Sequence, residues 1–245
     1  MQTTSIKTRL LTEISAHLIN EHYCHIPGFS ELISYQQEEV ETFKRQWDNL
    51  VLDQNFKNYT HRERRILRYH YHPGAANPLQ INLDNAYQSS VTYDIEYQKG
   101  ANQLSYAEQT FIDHPMMQRI IATDIGILGK NLVTGCHYSI DIHQFRVKAF
   151  SGKESPTTSG IHQDGQDWIF MHFIQGHNIE PVISEVHLTE NEAPPLLQTT
   201  MGRFLETLAI NDRQLYHRAG NVRQFSPEIA AFRDLLLVTF RQHTE

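Results

Sequence analysis

Apolar residues recur at helical spacing in the first half of the chain and alternate with polar ones in the second. In "IKTRLLTEISAHLIN" (6–20), Leu10, Leu11, Ile14 and Leu18 form one stripe, which predicts an amphipathic helix. "YCHIPG" (23–28) reads as a short strand closed by a Pro-Gly turn. Residues 31–52 predict a second amphipathic helix, with Val40, Phe43, Trp47 and Leu50 on its stripe. "RRILRYHYHPG" (64–74) alternates as a strand does and ends in a turn signal. "PMMQRIIATDIGILGKN" (115–131) predicts a third helix, opening on Pro where its missing N–H is harmless.

From residue 136 the period changes to two. "HYSIDIHQFRVKAF" (137–150), "QDWIFMHFI" (166–174), "PVISEVHLT" (181–189), "GRFLETLA" (202–209), "RQLYHRAG" (213–220) and "RDLLLVTFRQ" (233–242) each predict a strand, separated by turn residues. "ENEAPP" (190–195) reads as a solvated turn. Strands of this spacing after a helical half predict an α+β chain, a β-sandwich or barrel with helices from the N-terminal half packed on one side. No repeat and no Pro-, Gly- or Ser-rich linker divides it. Residues 1–245 are therefore read as one domain, with 1–135 mainly helical support plus early strands and 136–242 the β core.

Charge and cysteine content narrow the function classes. The formal net charge of −7 argues against nucleic acid, which demands a basic patch, and no Lys/Arg run suggests a membrane surface. The longest apolar run near the C-terminus, "LLLV" (235–238), is far short of a membrane span. "MQTTSIKTRLLTEIS" lacks the apolar segment of a secretory signal. Cys24 and Cys136, distant from each other, read as free thiols in a reducing compartment, so the expected location is cytoplasmic. Fifteen histidines raise the question of a metal.

The stretch "SGIHQDGQDWIF" (159–170) answers it. Residues i and i+2 of an extended segment share a face, so His162 and Asp164 can reach one ion while Gln163 points away. Gly165 lets the backbone bend directly afterwards. The third ligand is expected from the late strand "QLYHRAG", at His217. Two imidazoles and a carboxylate occupy one face of an octahedral Fe(II) and leave the other open, whereas zinc prefers tetrahedral sets, and no Cys is placed to help. If 2-oxoglutarate fills the open face, its far carboxylate requires a forked cation. Arg233, at the start of the last strand, is the candidate, with Arg223 and Arg218 as rivals.

With these residues in order, the chain resembles the Fe(II)/2-oxoglutarate-dependent dioxygenases. The local wording, "GIHQDGQDWIFMHFI", then "GHNIEP", then "GRFLETLAINDRQLYH", resembles the bacterial family that includes the free L-isoleucine dioxygenases, where "HxDG" and a later "D-x-x-x-x-H" (here Asp212 to His217) recur. The resemblance covers roughly residues 136–242. It implies a double-stranded β-helix (jelly-roll, cupin-like) core and catalytic metal ligands His162, Asp164 and His217. It also implies O2-dependent hydroxylation of a free, aliphatic L-amino acid, coupled to decarboxylation of 2-oxoglutarate to succinate and CO2. Glu180-Pro181 stands where related sequences carry Gly-Gly, a departure that bears on substrate rather than on the metal. An amino-acid zwitterion requires a cation for its carboxylate. Arg146 and Gln144, on one face of the strand before the motif, are the candidates. The oligomer considered is a homodimer through the N-terminal helices.

The bland alternatives are a metal-free buried polar cluster at His162, Asp164 and His217, and an Arg233 spent on a surface salt bridge with Glu228 or Asp234. His70 and His72 lack a carboxylate on their face and read as strand or pocket-rim residues. His172 reads as a satisfied core histidine. Two further functions remain open: a metal-dependent, cupin-like isomerase or hydrolase, and a non-catalytic regulatory module on the same scaffold.

Overall fold

A computed structural model describes residues 2–54, 60–84, 86–87, 102–150, 154–156, 160–191 and 194–243. The early elements are α1 (Gln2–Glu21), β1 (Tyr23–Ile26), α2 (Gln37–Lys44), β2 (Val51–Leu52), β3 (His61–Tyr71) and β4 (Leu79–Ile81). A small ribbon, β5 (Ala86–Tyr87) with β6 (Asn102–Gln103), precedes α3 (Gln109–Ile112) and α4 (Pro115–Leu128). The later strands are β7 (His137–Ala149), β8 (Trp168–His177), β9 (Ile183–His187), β10 (Leu197–Thr200), β11 (Thr207–Asn211), β12 (Tyr216–Ala219) and β13 (Ala231–His243). The large sheet runs β1-β11-β8-β13-β7-β3-β2, with β4 beside β3, and the small sheet runs β10-β9-β12. Among the described residues every pairing between these strands is antiparallel. Two stacked antiparallel sheets with helices on one outer face make the expected double-stranded β-helix fold.

Alternation along the strands gives the large sheet two faces. Leu67, Tyr69, Ile140, Ile142, Phe170, Leu236, Val238 and Phe240 pack against Leu18, Phe43, Ile120 and Ile127 of the helices in the main core. The opposite face meets the small sheet, where Phe173, Leu208 and Ile210 pack on Val186 and Leu215. β7 is covered on both sides, so its polar residues Gln144 and Arg146 are buried with its apolar ones.

Two expectations shift, and one strand is new. The helix expected over 31–52 is cut to α2, flanked by short 3-10 turns. Glu39 reaches back to the Gln36 N–H (2.7 Å) in a capping box, which fixes the helix start well inside the expected span. The strand expected over 202–209 begins only at Thr207, because Glu206 accepts the N–H groups of Gly202 and Arg203 (2.9 and 3.0 Å) and closes a turn. β10 emerges from the segment after "ENEAPP", of which Glu192 and Ala193 lie outside the described residues.

One polar contact pins α4 to the sheet. The Thr207 hydroxyl donates to the Leu205 carbonyl (2.8 Å), so His172 Nδ1 (2.7 Å away) is the donor to that oxygen. His172 Nε2 then faces Asp124 Oδ2 at 3.1 Å. Burial raises the Asp124 pKa against the pull of His172, and its other oxygen has no partner among the described residues. Both facts suit a protonated carboxyl that donates to the ring. Asp124→Ala is expected to lower stability by about 2–4 kcal/mol in urea unfolding, while Asp124→Asn, which keeps a donor, costs about 1 kcal/mol or less.

Candidate metal centre and co-substrate pocket

His162 and His217 are neighbours through their backbones. His162 N–H donates to the His217 carbonyl (3.0 Å) and His217 N–H to the His162 carbonyl (2.8 Å), an isolated antiparallel bridge beside β12. Opposed residues of an antiparallel pair project their side chains to one face, and the two ring centroids are 4.3 Å apart. Asp164, two residues on, brings its carboxylate 3.7 Å from His162 Nε2 and 3.6 Å from His217 Nε2. Gly160 (φ +63°) and Gly165 (φ +74°) take left-handed conformations on either side and turn the chain into and out of this short segment. Among the described residues, His162, Asp164 and His217 form the one set of His, Cys, Asp or Glu groups, three or more strong, with ligand atoms within 4.8 Å of one another.

Asp212 organises the loop from behind. Fully buried, it accepts the backbone N–H groups of Asp164 (3.1 Å) and Gln166 (2.8 Å), and its Oδ1 lies 3.6 Å from His217 Nδ1. The sequence held this residue only as the first letter of "D-x-x-x-x-H". Burial and the neighbouring His217 push the His162 pKa down to about 4, so its ring is uncharged and fit to ligate at neutral pH. Burial lowers the pKa of His217 too, but the carboxylates of Asp212 and Asp164 outweigh it and leave it raised.

Beside these groups lies a cavity of about 80 Å³, walled by Arg62, Phe145, Val147, Asp164, Met171, His217, Arg233, Leu235 and Leu237. Arg233 is 2% exposed, and none of its three guanidinium nitrogens has a partner among the described residues. Burial alone pushes its pKa down to about 10, so it stays charged. A buried cation without a counter-ion is expensive, and the cost is offset once an anion binds. The rivals are occupied elsewhere, Arg223 with Glu154 (2.8 Å) and Arg218 with Glu185 (2.5 Å). Asp234 is no partner for Arg233 either, since adjacent strand residues face opposite ways.

Arg146 and Gln144 do not reach the centre, contrary to expectation. They occupy the helix-facing side of β7, where Arg146 forks onto Asp234 (2.7 and 2.8 Å) and Gln144 donates to the Gln46 carbonyl (3.0 Å). The odd-numbered Phe145 and Val147 face the cavity instead. Arg62 in its wall was missed, because "HRERRILRYH" gives a charged strand no visible address. His70 and His72 gather with His137 and His243 towards the other end of the sheet (ring centroids 4.6–4.9 Å), remote from the cavity.

The signature of the 2OG-Fe dioxygenases matches residues 44–239. The chain belongs to this family. The 2OG-Fe dioxygenases require Fe(II) and 2-oxoglutarate, and both the donor set and Arg233, which has no partner among the described residues, suit them. Solved structures agree on the fold. IDO from Bacillus thuringiensis superposes at a TM-score of 0.78 and 20% identity over 96% of each chain. A bsmA homolog from Methylobium petroleophilum PM1 gives 0.78 and 20% over 94% of this chain and 92% of its own. The Fe(II)/(alpha)ketoglutarate-dependent dioxygenase TqaL gives 0.76 and 13% over 100% and 91%. No curated protein sequence matches this dioxygenase. Among its described residues no helix is long and apolar enough to cross a membrane.

Loss of the Asp212 carboxylate frees the loop that carries Asp164. Asp212→Asn is expected to weaken Fe(II) or Co(II) binding by about 10- to 100-fold in anaerobic calorimetry, with the far-UV spectrum unchanged.

Proposed function

We propose that the protein is an Fe(II)- and 2-oxoglutarate-dependent hydroxylase of a free, aliphatic L-amino acid, acting in the cytoplasm. His162, Asp164 and His217 would hold the iron from one side, and Arg233 would take the far carboxylate of 2-oxoglutarate in a bidentate pair. The observation that carries this reading is the buried guanidinium of Arg233, without a partner among the described residues, in the wall that also contains Asp164 and His217. Bound iron and 2-oxoglutarate together supply O2 activation, with succinate, CO2 and a hydroxylated product as the outcome.

The chain's own residues prepare that chemistry. His162 offers an uncharged ring, and Asp212 holds the Asp164 loop in place. Val147, Met171, Leu235 and Leu237 line the cavity with hydrocarbon and exclude water, which strengthens every charge contact inside. The amino-acid assignment rests on the wording "GIHQDGQDWIFMHFI". Cys24 and Cys136 are free thiols, as suits a reducing compartment. Burial pushes the Cys24 thiol up to about 11, so it is unreactive.

Aerobic incubation with Fe(II), 2-oxoglutarate and pooled L-amino acids should give succinate together with an amino acid heavier by one oxygen, read by mass spectrometry. Absence of any such product removes the amino-acid reading. Arg233→Gln should raise the KM for 2-oxoglutarate by at least about 30-fold. Full activity in that variant would favour an isomerase or hydrolase on the same scaffold, which has no use for the co-substrate.

A further inference from the structure

The wall of the cavity carries a second arginine that the reading above leaves without a task. Arg62 on β3 pairs with Val147 on β7, and Val147 pairs with Arg233 on β13. The three residues form one row across three adjacent strands and share one face. At ~4.8 Å per strand, the two arginine Cα atoms are about 10 Å apart, with Val147 between them. Both line the cavity with Asp164 and His217.

Arg62 is held in place before any ligand arrives. Its Nε and Nη2 donate to Asp53 Oδ2 (3.1 and 2.7 Å), and its guanidinium lies 4.7 Å from the centre of the Phe145 ring. Arg64 shares the same carboxylate (3.2 Å), contacts His143 (3.2 Å) and flanks Phe145 at 5.1 Å. Burial would raise the Asp53 pKa, but the two guanidiniums outweigh it and hold it lowered, so the anchor is ionised. This is a rigid, planar cation, only 7% exposed, in the wall beside the candidate metal ligands.

We propose that Arg62 receives the carboxylate of the molecule to be hydroxylated, so that the site selects substrates with a free carboxylate and rejects the same molecules as amides. This inference rests on the dioxygenase reading of the site. One guanidinium fork satisfies one carboxylate, and Arg233 offers a complete fork for the co-substrate. Arg62 and Arg64 share the single carboxylate of Asp53, so two cations stand against one anion and the same row keeps a net positive charge for a second anion. Asp53 is a positioning residue, since it touches Arg62 and not the ligand. An interior or amidated residue of a peptide lacks the anion and is excluded.

The test compares the amino acid found in the pooled assay with its carboxamide, titrated anaerobically into protein loaded with Fe(II) and 2-oxoglutarate. Wild type should bind the acid and discriminate against the amide. Arg62→Gln should weaken binding of the acid, and raise its KM, by about 10- to 100-fold. Binding of the amide and the KM for 2-oxoglutarate should not move. Arg64 still holds Asp53 in this variant; Arg62→Lys, which keeps the charge without the fork, should fall between the two and covers a folding failure. A rise in the 2-oxoglutarate KM with the amino-acid KM unmoved, or equal binding of acid and amide by wild type, overturns the proposal. If no amino acid is hydroxylated, that reading fails separately. Titration with aliphatic monocarboxylates and their amides then decides the role of Arg62, equal affinities overturning it.

Discussion

Two backbone hydrogen bonds between His162 and His217 set the geometry on which the site depends. They join segments 55 residues apart in sequence (217 − 162) and leave the side chains no choice of face. His217 is fixed by the β9–β12 ladder, and the bridge ties His162 to it, so the precision of the pair comes with the architecture. The carboxylate needs separate support, because Asp164 follows the bridge in a loop. Asp212 provides it through two main-chain hydrogen bonds.

The two faces of the large sheet divide the labour. On β13, Arg233 and Asp234 are neighbours with opposite fates. Asp234 turns to the helices and takes Arg146 in a closed pair, while Arg233 turns to the cavity and meets hydrocarbon. On the helix side the charged groups pair with one another, Asp234 with Arg146 and Asp124 with His172. The cavity side keeps its polar capacity for ligands. A one-residue slip of β13 would exchange these roles, so the long register with β7 carries function as well as stability.

Much of this was legible in the chain, for identifiable reasons. Period-two patterning located most of the later strands, and the i, i+2 rule aimed His162 and Asp164 together. Arg233 stood out because it opens the last strand, just ahead of the apolar run "LLLV". The same rule also showed Arg146 and Gln144 sharing a face, but not which face. β7 is buried on both sides, so its pattern carries no inside and outside. Arg62 was hidden for a related reason, since its side is set by pairing with Val147 across the sheet. The shortened α2 reflects local capping by Glu39, which overrode the longer apolar stripe.

The support that Asp212 gives has a bearing on how the protein acquires its ion. The bend around Asp164 is shaped by peptide hydrogen bonds and two left-handed glycines, none of which involves a cation. The contacts that shape this bend belong to the polypeptide itself, in contrast to small zinc modules, whose architecture is held by the ion.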